Sequence, residues 1–191
     1  DRPGGLLIYG IPNFKLEKFV VERRTKLLKD SGIKFIQNFE IGKDSTLKDL
    51  RKKHDAVLIA TGVYKFREIN IPGNGLDGVV DALNYLTASN KVNFGDKVSS
   101  FTDGTLNAAG KKVVVIGGGD TAMDCVRTAI RQGAKSVKCM YRRDRANMPG
   151  SQREVNNAEE EGVVFEWLTT PQGFTSGSST TNLVNLEDAN G

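Results

Sequence analysis

The chain is poor in the residues that build metal and disulfide sites. Among 191 residues there are two cysteines, one histidine and one tryptophan. Two thiols, Cys125 and Cys139, cannot alone ligate a four-cysteine iron–sulfur cluster or a structural zinc. Both fall at apolar positions of the elements expected around them. There a free cysteine acts as a small hydrophobe, and a reducing cytoplasm is the expected setting. His54 has no second histidine or cysteine near it and reads as the end of a short helix. No apolar run approaches the roughly 20 residues of a membrane span. Neither sign of charge dominates: 27 Lys and Arg face 23 Asp and Glu, a net +4. The lysines are scattered, which suits an anionic small ligand and argues against nucleic acid. No internal repeat of fixed period is evident.

The most informative stretch is Lys111–Asp144, KKVVVIGGGDTAMDCVRTAIRQGAKSVKCMYRRD. Val113–Ile116 is a continuous apolar run, as in a strand buried on both faces of a parallel sheet. Gly117, Gly118 and Gly119 follow. A helix is expected from Asp120 to Gln132, with Met123, Val126, Ala129 and Ile130 on its inner face and Gly133 at its end. Ser136–Tyr141 is the second strand. The small residues Gly117, Gly119 and Ala122 are spaced as in a dinucleotide-binding turn. The first permits the tight turn, the second lets the backbone approach a diphosphate, and the third lets helix and strand pack closely. Free N–H groups at the helix N-terminus would receive the diphosphate. A glycine turn in a βαβ unit that binds nothing is the alternative.

The end of the second strand selects the cofactor. An NAD site needs a carboxylate there for the ribose 2′-hydroxyl. This chain has Arg142 and Arg143, whose planar forks suit a 2′-phosphate, so the site reads as NADP(H). Asp144, one residue later, is a rival acceptor for NAD, and a solvated loop is the simplest alternative for the arginines.

Elsewhere, Asp1–Lys15 is expected to be a loop. Leu16–Ser31 reads as an amphipathic helix with Leu16, Phe19, Val20, Leu27 and Leu28 inward. Ile33–Gln37 reads as a short strand, and Thr46–Lys53 as a helix opened by a Thr46/Asp49 capping box, with Leu47 and Leu50 inward. Asp55–Val63 reads as a buried strand ending in Ala60, Thr61 and Gly62. Glycines between Gly73 and Gly78 mark a domain boundary. Val79–Ser89 is an expected helix and Asn90–Gly110 a polar excursion. Ser151 and Glu154 suggest a second capping box on a helix reaching Glu161, followed by a strand at Val163–Leu168. Ser176–Thr181 reads as a loop and Asn182–Glu187 as a last strand. Asp120, Asp124 and Glu154 are assigned to a helix first turn, a helix surface and a cap, and no acid–base or nucleophilic residue is expected. Tyr64 and Tyr141, near strand ends, are expected to pack in the core.

Four stretches carry a resemblance: GGLLIYGIPNFKL, DAVLIATGVYKFREINIPG, VVVIGGGDTAMDCVRTAIRQGA and YRRDRANMPGSQREVNNAEEEGV. In this order they resemble the small subunits of bacterial NADPH-dependent glutamate synthases, over most of residues 1–168. Dihydropyrimidine dehydrogenase and ferredoxin–NADP reductase-like subunits are similar but vary around NMPGSQREV. The last twenty or so residues match poorly.

The resemblance implies an α/β protein with a Rossmann-like, three-layer NAD(P)-binding domain on a parallel sheet at 77–191. Residues 1–76 would be an incomplete FAD-binding-domain remnant, its first glycine fingerprint and cysteine-rich cluster domain lying outside this stretch. NADPH would pass a hydride to FAD, and electrons would leave through iron–sulfur clusters to the large subunit, which makes glutamate from glutamine and 2-oxoglutarate. Gly117, Gly119, Asp120, Thr121 and Ala122 fall on the NADPH diphosphate loop, and Arg142 and Arg143 on the 2′-phosphate site. Gly4, Gly5, Leu6 and Leu7 fall on the FAD-side loop, and Ala60, Thr61 and Gly62 on the strand end facing the flavin. The isolated chain is expected to be inactive and to purify without flavin. A non-catalytic nucleotide-binding module that docks a partner is the other function class.

Overall fold

In a computed structural model, the apolar runs around the glycine turn become a parallel sheet. β1 (Lys112–Ile116), β2 (Ser136–Tyr141) and β3 (Val164–Trp167) pair in the order β1-β2-β3, with Val115 opposite Cys139 and Cys139 opposite Phe165. The structure describes residues 1–62 and 69–175, and the backbone of 178–183. The chain divides into two compact units, Asp1–Lys65 and Phe66–Gly191.

The second unit has the closed core. α6 (Asp120–Arg131) lies against β1 and β2, and α7 (Gln152–Glu160) lies against α6. Met123, Val126 and Ala129 of α6 meet Val137 and Cys139 of β2 and Val155 and Ala158 of α7, all fully buried. The spacing of those α6 residues is what a 3.6-residue repeat demands of a packed face. Gly133, at φ 80°, ends the helix as its lack of a Cβ allows. β1 is an edge strand among the described residues and is not buried on both faces: Val114 is 42% exposed. Cys125 and Cys139 are buried as expected. Burial pushes both thiols up, Cys139 to about 12, so neither carries a reactive thiolate near neutral pH.

α4 (Ala82–Asn93) starts three residues later than the sequence suggests, because the Asp81 carboxylate accepts from Asn84 N–H at 2.9 Å. It also runs into the expected polar excursion, which contains the short α5 (Ser99–Thr102). Gln132 ties these parts together. Its Oε1 accepts from Tyr85 Oη and from Ala108 N–H, both at 2.9 Å, and its amide nitrogen donates to Ser89 Oγ at 3.1 Å.

Three readings of this unit are corrected. Ser151 caps α7 without a side-chain hydrogen bond, because Glu154 is held by Arg127 instead of closing a capping box. Asp124 is not a surface residue but 7% exposed. The expected loop at 176–181 is in part β5 (Ser178–Leu183), antiparallel to β4 (Thr169–Thr175). Of the strand expected at 182–187, residues 184–187 lie outside the described residues, as does Tyr64. β4 is also tethered to the start of the unit: Phe174 N–H donates to Pro72 O at 2.8 Å. A Cβ on Gly73, at φ 82°, would run into the Phe174 carbonyl.

The first unit is sparsely packed. α1 (Leu6–Tyr9) packs on α2 (Lys18–Asp30), and its buried hydrophobic residues are Ile8 and Val21. Lys18, rather than a hydrophobe, sits beneath α1, and its ammonium donates to Leu7 O at 3.0 Å and to Ile11 O. The inner face read for α2 holds only in part: Leu16 and Val20 are half-buried, but Phe19 is 57% exposed, and Leu27 and Leu28 are exposed too. α3 (Leu47–Lys53) has the expected capping box between Thr46 and Asp49, and His54 follows its end. Leu47, however, is exposed. The strands expected at 33–37 and from Asp55 do not form among the described residues. Ile36 is 77% exposed and Leu58 is 90% exposed. A strand needs ladder partners for its N–H and C=O groups and a surface for its side chains, and this unit supplies neither.

Candidate functional site

The glycine turn sits where β1 hands over to α6, at the carboxyl ends of β1 and β2. Gly117 N–H donates to Met140 O at 3.0 Å, which continues the ladder past Ile116 and brings the two strand ends level. Gly117 takes φ 144°, a conformation that L side chains avoid. A Cβ on Gly118 would lie 2.5 Å from the Tyr141 ring, so ring and turn pack directly together. A Cβ on Gly119 would meet nothing within 4 Å and would project into open space. Ala122 is buried under the turn, where its small side chain lets α6 approach.

The N–H groups of Gly118, Gly119, Asp120 and Thr121 take part in no hydrogen bond among the described residues. α6 is twelve residues long, and its dipole adds positive potential at these donors. Four free donors beside an unobstructed glycine make a cradle for an anion of diphosphate type. Asp120 and Thr121 are exposed at its mouth.

Arg142 and Arg143 follow Tyr141 at the end of β2. Among the described residues neither guanidinium makes a hydrogen bond or ion pair, and only the Arg143 backbone carbonyl is anchored, by Leu168 N–H at 3.2 Å. Three other arginines of the unit are committed. Arg127 reaches Glu154 at 2.6 Å and Glu161 at 2.7 Å, Arg131 reaches Glu161 at 2.5 Å, and Arg145 pairs with Glu159. Burial alone would raise the Glu161 carboxyl, but hydrogen bonds from Arg131 and Arg127 outweigh it and hold the group down at about 2. Asp144, the rival acceptor, has one oxygen engaged by Asn147, through N–H at 2.9 Å and the side-chain amide at 2.8 Å.

Two contacts over the turn escaped the sequence reading. Gly150 N–H donates to Gly118 O at 2.8 Å, and Ser151 N–H donates to Asp120 Oδ1 at 3.0 Å. A Cβ on Gly150 would come within 2.9 Å of the Gly118 carbonyl oxygen. The signal was the Pro149–Gly150 pair just ahead of a helix, inside the distinctive stretch NMPGSQREV.

The FAD-side residues come together less fully. Gly4 and Gly5 have positive φ and lead into α1, with Leu6 and Leu7 exposed on its first turn. Ala60, Thr61 and Gly62 are exposed and end no strand. These residues assemble no anion cradle among the described residues.

The sequence profile of the pyridine nucleotide-disulphide oxidoreductases matches residues 11–191. The chain belongs to that family. Among its relatives, the glutamate synthase (NADPH) small chain of Azospirillum brasilense is 67% identical over 183 residues, which is 96% of this chain and 38% of that one. A glutamate synthase (NADH) of Schizosaccharomyces pombe is 48% identical over 72% of this chain and 6% of its own. The present chain thus spans well under half of these relatives. FprA from Mycobacterium tuberculosis shares the fold at a TM-score of 0.72 and 18% identity, covering 94% of this chain and 58% of FprA. The Rossmann-like α/β architecture of this chain is therefore shared with a solved structure. Among the described residues no helix is long and apolar enough to cross a membrane.

Proposed function

We propose that this chain is the NADPH-binding part of a glutamate synthase small subunit, with residues 77–191 as the nucleotide domain and 1–76 as a segment of the FAD domain. The observation that carries the cofactor choice is the uncommitted pair Arg142 and Arg143, one residue beyond the tyrosine that packs on the glycine turn. Two planar cations free of protein partners suit a 2′-phosphate far better than a hydroxyl. Similarity alone leaves this open, since relatives named for NADPH and for NADH both match.

Bound NADPH would supply a hydride for the flavin of the complete subunit, and the electrons would pass on to a large subunit in the cytoplasm. The chain's own contribution is placement. Gly117 makes the turn, Gly118–Thr121 present donors to the diphosphate, Ala122 lets the helix approach, and Arg142 and Arg143 read the extra phosphate. No side chain is assigned a proton transfer.

The test is a titration with NADPH and with NADH, followed by calorimetry and by the fluorescence of Trp167. That indole is half-buried and stacked on Phe165 at 4.8 Å between ring centroids. NADPH is expected to bind more tightly. The Arg142→Ala/Arg143→Ala variant is expected to lose about tenfold or more in NADPH affinity, the scale of a charge-assisted hydrogen bond, and little for NADH. Equal binding of the two nucleotides, or none, would refute the assignment.

A further inference from the structure

The segment between Arg143 and α7 folds back onto the glycine turn, and every step of that return is hydrogen-bonded. Asp144 Oδ1 accepts from Asn147 N–H, and Asn147 O accepts from Tyr141 Oη at 3.2 Å. Met148 N–H donates to Arg145 O at 3.3 Å, and the Gln152 amide donates to the same carbonyl at 3.2 Å. Gly150 and Ser151 then donate to Gly118 O and Asp120 Oδ1. The far end is fixed as well, because Arg127 of α6 holds Glu154 of α7 and Glu161 just beyond it. The diphosphate-type cradle and the loop that begins with the two free arginines are thus bolted together at both ends.

Resting on the NADPH reading above, we propose that Asp120, Gly150 and Ser151 form a clasp that sets cofactor selectivity. They are positioning residues: the clasp fixes the arginine loop relative to the turn, so that a 2′-phosphate arrives within reach only when the diphosphate is seated. A guanidinium fork gains its full value only if it is held in place before the ligand arrives, since ordering it afterwards costs conformational entropy. Asp120 serves here through its acceptor oxygen. Its negative charge adds nothing to a site for an anion. Gly150 is required because any side chain would displace the backbone carbonyl it covers.

Three variants separate this from general destabilisation. Asp120→Ala removes the acceptor. Asp120→Asn keeps an acceptor oxygen and removes the charge. Ser151→Pro removes the donor, at a residue whose φ of −54° already suits proline. Each is titrated with NADPH and NADH, alongside thermal melts. The ratio of the two affinities is expected to fall roughly three- to tenfold in Asp120→Ala and in Ser151→Pro, mostly through weaker NADPH binding. Asp120→Asn should keep the wild-type ratio. A selectivity ratio unchanged in both disruptive variants, or equal losses for the two nucleotides, overturns the clasp and leaves the NADPH reading standing. Loss of the fold in both, with Asp120→Asn intact, also overturns it, because the contacts would then be folding determinants. A wild-type chain that does not prefer NADPH, or a double arginine variant that binds it undiminished, removes the reading itself and the clasp with it.

Discussion

The two units carry similar apolar runs and treat them differently. VVVI in the second unit pairs with β2 and lies against α6, whereas VLIA in the first unit forms no ladder and leaves Leu58 almost fully in water. Local composition is nearly the same. What differs is whether the rest of the unit brings a partner strand and a helix face to the run. A strand is a statement about its neighbours as much as about itself.

The sharpest way to break this comparison is hydrogen exchange. Amides of Met123–Ala129 and Val137–Met140 are expected to exchange only through global opening, at least about 10³-fold slower than unprotected amides. Those of Lys34–Gln37 and Val57–Ala60 should exchange at close to unprotected rates. Comparable protection in both sets would end the contrast. Ion pairs offer the next test. Arg127→Ala takes from Glu154 and Glu161 a well-buried shared partner, leaving Glu161 only Arg131, and should cost about 1–3 kcal/mol in denaturant unfolding of the second unit. Lys26→Ala breaks an exposed pair with Asp30 and should cost under about 0.5 kcal/mol.

Truncation of the apolar groups should follow the same division. Met123→Ala opens a cavity in a closed core and should cost about 2–5 kcal/mol. Leu58→Ala should stay within about 0.5 kcal/mol. The last effect is pH-dependent. Glu161 binds its proton less readily when folded, at about 2, than its ordinary 4.5. Its contribution is therefore present above about 4.5 and fades as the pH falls toward 2. The gap in stability between the wild type and Glu161→Gln should close over that window, as followed by urea unfolding at stepped pH. A gap that stays constant down to pH 2 would show that the arginines do not hold this carboxylate.

What could be read from the sequence was mostly short-range. The βαβ segment from β1 to β2 came out within a residue or so, because turn glycines, helix periodicity and strand length all agree there. The Thr46–Asp49 box was legible for the same reason, since both partners lie three residues apart. The Ser151–Glu154 box had identical spacing and failed. Glu154 had a stronger offer from Arg127, 27 residues away, and no local rule records that competition. Asp124 looked like surface by its charge, yet the packing of α6 buries it. The first residues of β5 read as loop because serine and threonine dominate them, although an antiparallel partner is enough to hold such a sequence extended. For the candidate site, the glycines and arginines were visible as a spacing. The return of Gly150 and Ser151 over the turn was not, because it joins residues about thirty positions apart.

The tether between Pro72 and Phe174 bears on where the second unit could be cut from this chain. A gene starting at Asp77 would discard the carbonyl that pins the outer strand of the hairpin and would leave that edge to fray. Starting several codons ahead of Ile71 retains it. Fusion or crystallisation work on the module should therefore take its upstream limit from a hydrogen bond, and not from the glycines that seem to punctuate the sequence.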